Sequence, residues 1–332
     1  MIFNGGFGHQ TYDTGSPRVT NNTIYDIASL TKVLATVPVT MKLISQKKLS
    51  LDQSIQQFYP KFTGKWKENV TIRHLMTHSS GLSDYYPFYQ NGNINNKVDI
   101  QQFILKSELK YEPGSQSQYS DLGFILLSSI IEKVSRRSLD RLAAPWIFQP
   151  LGMQNTLYNP PAELREQIAP TELDTVYRHR LLQGEVHDEN TYLMGGVSGH
   201  AGVFSTAEDI AKYAQMLVDG GLWQGSRFFS ESQIKEFTSI QNLPKESDFA
   251  LGWDTPSQNG RSIAGDYFTS GSFGHLGFTG TSIWIDPNQE IIIVLFTNRV
   301  HPSRKGDEGS KEMYGIRRLF YNNVMAQLIA ER

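Results

Sequence analysis

Residues 24–49 read IYDIASLTKVLATVPVTMKLISQKKL, and this stretch carries both a structural element and a chemistry. Val33, Leu34, Val37, Met41, Leu43 and Ile44 recur at helical spacing, which predicts a helix from Ser29 to about Gln46. Pro38 falls inside it. Lacking an N–H and crowding Leu34, it should kink the helix. Ser29 and Lys32 are three residues apart and share a helix face, so the Lys32 amine can lie over the Ser29 hydroxyl. Ser29 stands at the helix start, where free N–H groups favour negative charge. A serine hydroxyl becomes a good nucleophile once a neighbour takes its proton, and a neutral amine can do so. Lysine ordinarily titrates near pH ~10.4, so that role calls for burial or a nearby positive charge.

The same tetrad spacing occurs at Ser45–Lys48, Ser107–Lys110 and Ser232–Lys235, in polar surroundings that read as solvated helix faces. Ser29 differs in its neighbours. Ile27 and Ala28 precede it, and Val33 and Leu34 follow Lys32. A lysine within such an apolar pattern is either costly or functional.

Working outward, 332 residues suffice for one large or two interleaved domains with a real core. With 39% hydrophobic and 19% charged residues, the composition is that of a soluble globular chain. A net charge of −2 without a basic run argues against a nucleic-acid or anionic-membrane binder. The absence of cysteine excludes disulfides, thiolate zinc sites and cysteine nucleophiles. No apolar run reaches the ~20 residues of a membrane span, and MIFNGGFGHQ lacks the features of a signal peptide.

Strand patterns occur at 2–8 and 19–25, around a turn at 13–17, and again at 249–253, 274–275, 281–286 and 290–297. Helices are expected at 71–76, 100–106, 121–134, 139–148, 206–217 and 311–329, with the stretch 155–205 rich in loops. The aromatic, amide-rich stretch 83–99 reads equally well as a cleft wall or a surface excursion. The simplest packing is an α+β fold. Residues 1–60 and 248–332 form an antiparallel sheet flanked by helices, and 61–247 form a mainly helical insertion. The Ser29 helix would then lie at the seam, where clefts form.

Two further motifs matter in combination. Tyr119-Ser120-Asp121 precedes the most apolar helix, and Gly274-His275-Leu276-Gly277-Phe278-Thr279-Gly280 precedes a strand. Alone, Tyr119 reads as a packing tyrosine and His275 as a satisfied strand residue. In order after Ser29-Leu30-Thr31-Lys32, they resemble the three signatures of the serine β-lactamase and penicillin-binding-protein superfamily. The likeness is greatest to class C β-lactamases, D-Ala-D-Ala carboxypeptidases and related esterases. It extends to Leu75–Leu82 (LMTHSSGL), Gly199–Ser205 (GHAGVFS) and the Ile285-Asp286-Pro287 turn. The resemblance implies an acyl-enzyme serine hydrolase acting on an ester or amide, with a small-molecule or peptidoglycan-derived peptide substrate, no cofactor and no metal. It favours a periplasmic or secreted location. It assigns Ser29 as nucleophile, Lys32 as its proton partner, Tyr119 as a second proton carrier and His275 in place of the triad lysine. The N–H groups of Ser29 and Phe278 would form the oxyanion hole. Asp121, Gly277, Thr279, His187 and His200 would border the substrate.

Three departures stand out. Asp121 replaces an asparagine and should raise the Lys32 pKa, shifting base function toward Tyr119. The His275-Leu276-Gly277 triad lacks lysine and threonine, favouring a peptidase or esterase over β-lactam resistance. The pattern also starts late relative to such proteins, which leaves room for a fused domain or a neighbouring chain. The rival from another class is a non-catalytic relative that binds muropeptides or a protein partner. A metal site is the weaker alternative: His74 and His78 have helical ligand spacing, but Leu75 stands where zinc proteases carry glutamate. Gly260-Arg261-Ser262-Ile263-Ala264 is a near miss to a nucleophile elbow.

Overall fold

The computed structural model describes residues 1–257 and 262–331. Gly260 and Arg261 of the near-miss elbow lie outside the described residues. The fold is α+β, with small antiparallel sheets packed among helices. Strand β1 (Tyr25–Asp26) joins β3 (Val203–Ser205), which also pairs with β2 (Leu157–Tyr158). Strands β4 (Phe273–Leu276), β5 (Ser282–Asp286) and β6 (Ile291–Leu295) form a second antiparallel sheet.

The expectation of one sheet built from both chain ends is not met: β1 pairs with β3, and among the described residues no strand of 1–60 joins β4–β6. Residues 2–8 form no strand, and Met1, Ile2, Phe3 and Phe7 are exposed. The turn at 13–17 does form, closed by Gln10 N–H on the Pro17 carbonyl and a bridge between His9 and Arg18. Beyond that bridge Val19 N–H donates to the Gly8 carbonyl (3.1 Å) and Gly6 packs on the backbone of Val19 and Thr20, but among the described residues the pairing does not continue into a ladder. The two ends meet through side chains instead: Thr279 Oγ1 donates to the Asp26 carbonyl (2.6 Å) and Thr281 Oγ1 to that of Ile27 (3.1 Å).

The terminal sheet shows the period of two that its sequence encodes. Ile283 and Ile285 enter the main core, while Trp284 turns to the other face. There it meets Ile291, Ile293, and Tyr321 and Met325 of the long C-terminal helix. The main core runs from Ile27 to Ile285 and draws on residues of both expected units.

Helix α1 (Val37–Ser45) is preceded by a π-helical turn, Lys32–Thr36. The expected proline kink takes this form: the wider turn places Pro38 in the first turn of α1, where no N–H is required. Helices α2 (Lys97–Lys106), α3 (Asp121–Ser135), α4 (Ala207–Val218), α5 (Glu231–Thr238) and α6 (Gly306–Ala330) follow. Helix α3 is capped by Ser120, whose hydroxyl accepts from Gly123 N–H at 3.1 Å, and Leu122–Ile131 are all buried. Helix α4 is capped by Thr206, whose side chain accepts from Asp209 N–H. No helix among the described residues is long and apolar enough to cross a membrane.

Candidate active site

Asp26 sets up the turn that presents Ser29. Its buried carboxylate accepts from Ala28 N–H (2.8 Å) and His187 N–H (2.6 Å), and Ala28 is held at φ 47°. A non-glycine residue in that region stores strain and persists only where its surroundings fix it. The chain then enters the helix, leaving Ser29 half-buried at its mouth.

Lys32 is fully buried. Its Nζ donates to Ser29 Oγ (3.3 Å), Asp121 Oδ1 (2.7 Å) and the His200 carbonyl (3.3 Å). It also lies 4.7 Å from the centre of the Tyr119 ring. Burial alone would depress the amine's pKa, but the adjoining Asp121 carboxylate and the Tyr119 phenol outweigh it and raise the value. Burial pushes the Tyr119 phenol up to about 12, against the pull of Lys32 and of hydrogen bonds with Lys32 and Ser29. At neutral pH the resting site thus holds an ammonium and a protonated phenol beside the serine.

His275 is buried on β4. Its Nδ1 lies 2.9 Å from the Leu276 carbonyl, which can only accept, so Nδ1 carries the ring proton and Nε2 the lone pair. Burial and then the Lys32 charge depress its pKa to about 3, so the imidazole is neutral. Nε2 meets no partner among the described residues. The ring centre is 5.9 Å from that of Tyr119.

The turn after β4 lies against the serine segment. Gly277 packs on the Ile27 carbonyl and Leu30. Thr279 is buried with its hydroxyl on Asp26, so it holds this turn rather than facing the cleft. Phe278 is 43% exposed, and neither its N–H nor that of Ser29 is committed among the described residues. A methyl group at Gly277 would overlap the Thr281 hydroxyl and the Ile27 carbonyl. Gly277→Ala is therefore expected to displace the turn and cost about 1–3 kcal/mol of stability, as overpacking does, measurable as a lowered urea midpoint.

The other histidines have partners of their own. His200 Nε2 pairs with Asp188 Oδ1 (2.9 Å) and Nδ1 with Ser198 Oγ (2.8 Å), so it meets Lys32 through its carbonyl. His187 Nε2 pairs with Glu172 Oε2 (2.9 Å), while its ring lies 5.6 Å from Phe278. His74 caps its own short helix with Thr71. His78 faces elsewhere: its Nδ1 accepts from Ser120 N–H (3.0 Å), and its ring packs 4.5 Å from Tyr119. Sequence reasoning overlooked Asp26 and the packing role of His78. The latter lies in LMTHSSGL, a signal that was present but open to a metal reading.

A family model described as Beta-lactamase matches residues 1–313. A Salmonella enteritidis PT4 protein named "Putative D-alanyl-D-alanine carboxypeptidase" is 35% identical over 313 residues, covering 86% of this chain and 71% of that protein. Among solved structures, EstCE1, described as a hydrolase with promiscuous acyltransferase activity, aligns with a TM-score of 0.70 at 21% identity, covering 95% of this chain and 88% of that one. A penicillin-binding-protein homologue from Caulobacter crescentus aligns with a TM-score of 0.70 at 19% identity, covering 88% and 81%. At those identities the two structures speak for the fold alone. With its serine, lysine and tyrosine gathered at one helix mouth and the family match spanning nearly its whole length, the chain belongs to the β-lactamase family.

Proposed function

We propose that this protein is a serine hydrolase that cleaves an ester or amide bond through an acyl-enzyme on Ser29. The observation that carries the reading is that Tyr119, from a distant segment, meets the neighbouring pair Ser29 and Lys32. Lys32 Nζ stands 3.3 Å from Ser29 Oγ and 4.7 Å from the centre of the Tyr119 ring. In acylation Ser29 Oγ attacks the carbonyl carbon and gives its proton to the Lys32–Tyr119 pair. The pair returns a proton to the leaving group, and water then releases the acyl group by the reverse route. The N–H groups of Ser29 and Phe278 hold the oxyanion.

Two observations support an ester or peptide substrate over a β-lactam. The imidazole of His275 is neutral and offers a lone pair, so it cannot attract a substrate carboxylate as a lysine would. The relative named for D-alanyl-D-alanine carboxypeptidase activity adds the peptide class, with peptidoglycan-derived stems as candidates. A binding role without turnover draws on one observation, the Lys32–Asp121 ion pair, which keeps the amine charged. The test is a panel of nitrophenyl esters, a chromogenic cephalosporin and D-alanyl-D-alanine peptides. Serine-dependent hydrolysis of esters or peptides, faster than of cephalosporin, supports the reading. Binding without release of product favours the second.

The active base is this pair with one proton removed, so kcat/KM should rise with pH. Asp121 raises the Lys32 pKa, so removing its charge lowers that value and frees the amine at lower pH. Asp121→Asn is expected to move the rising limb of kcat/KM to lower pH. A limb that stays in place contradicts a base role for Lys32.

A further inference from the structure

Arg317 sits at an inward position of α6, one turn from Met313 and one from Tyr321, with Met325 beyond; all four are buried. It is 4% exposed and has no carboxylate partner among the described residues. A cation in such a stripe is expensive unless its donors are met by well-placed acceptors. Its Nη2 donates to the carbonyls of Gly277 (2.8 Å) and Thr281 (2.7 Å), the two ends of the turn after β4.

The Gly277 carbonyl belongs to the same peptide unit as the Phe278 N–H. That peptide bond is trans, so its C=O and N–H point in opposite directions. Gripping the oxygen from behind fixes where the N–H points. A positive charge on the oxygen also polarises the unit and strengthens the N–H as a donor. The front of the turn is pinned to the serine segment by Thr279 on Asp26 and Thr281 on Ile27. We infer that Arg317 is the positioning residue of the oxyanion hole, holding and polarising the Gly277–Phe278 peptide so that its N–H meets the developing oxyanion. This rests on the acyl-enzyme reading above.

The test is the carbonyl stretching frequency of the acyl-enzyme, read by isotope-edited infrared spectroscopy with a ¹³C-carbonyl nitrophenyl ester, alongside acylation kinetics. In wild type the band should lie below that of the same ester in water, because two donors polarise it. In Arg317→Met the band should move up and kcat should fall by about ten- to a hundredfold, less than the ~10²–10³ of losing a donor outright, with KM little changed. Arg317→Lys can hold one carbonyl and should give a band between the two. It also serves if the methionine variant does not fold. An unchanged band and rate in either folded variant overturns the role of Arg317 while leaving the serine mechanism intact. Absence of any acyl-enzyme in wild type overturns both.

Discussion

Ser29→Ala should lower hydrolytic turnover by on the order of 10⁴–10⁶, because removing a nucleophile removes the covalent route while the rest of the site contributes only residual catalysis. Stability should change by less than about 0.5 kcal/mol, since Ser29 is half-buried and the hydrogen bond its hydroxyl accepts from Lys32 is long, at 3.3 Å. Substrate binding should persist. Parallel measurements of product formation, substrate affinity and thermal midpoint check all three. Turnover surviving in the variant would remove Ser29 from the chemistry.

Lys32→Arg should be nearly as damaging, with a loss of about 10²–10⁴ in kcat. A guanidinium keeps the charge that faces Asp121, but it does not give up its proton in a protein. The substitution therefore separates two roles for the buried lysine. If Lys32 serves only to neutralise Asp121, arginine should restore activity. If it must take the Ser29 proton, activity is lost even where the ion pair is kept. The arginine is larger than the space Lys32 fills, so Lys32→Met is a companion, expected to lose the same activity. A thermal melt of each variant shows whether the fold is retained, and an active Lys32→Arg enzyme would contradict the proton-transfer role.

How much of this was legible in sequence depends on the kind of contact involved. The SxxK tetrad, the helix at the C-terminal end and the alternating strands of the terminal sheet follow from local spacing, and all could be read. The expected strand at 2–8 had the right alternation, but a strand needs a run of paired residues, and among the described residues its neighbour at 18–20 supplies one bridge and one further backbone hydrogen bond. The π turn at Lys32–Thr36 was visible only as Pro38, which signals a break without stating its form.

The polar supports of the site were the least legible. Asp26 reaches Ala28 nearby but also His187, far along the chain, and Lys32 meets His200 through a carbonyl that no residue type announces. That His187 and His200 border the substrate is an expectation from resemblance alone. Their capture by Glu172 and Asp188 depends on tertiary pairing. Arg317 did leave a trace, as a lone charge four residues from Met313 and from Tyr321 within an apolar stripe. Periodicity alone could have flagged it, although not the carbonyls it holds.

The most direct measurement is mass spectrometry of the protein after treatment with a fluorophosphonate probe, followed by tryptic mapping. The peptide spanning residues 19–32 contains Ser29 as its only serine. A single adduct per chain is expected on that peptide, absent in Ser29→Ala and slowed in Lys32→Arg. An unmodified Ser29 under conditions that label a control serine hydrolase, or labelling that survives Ser29→Ala, would contradict it.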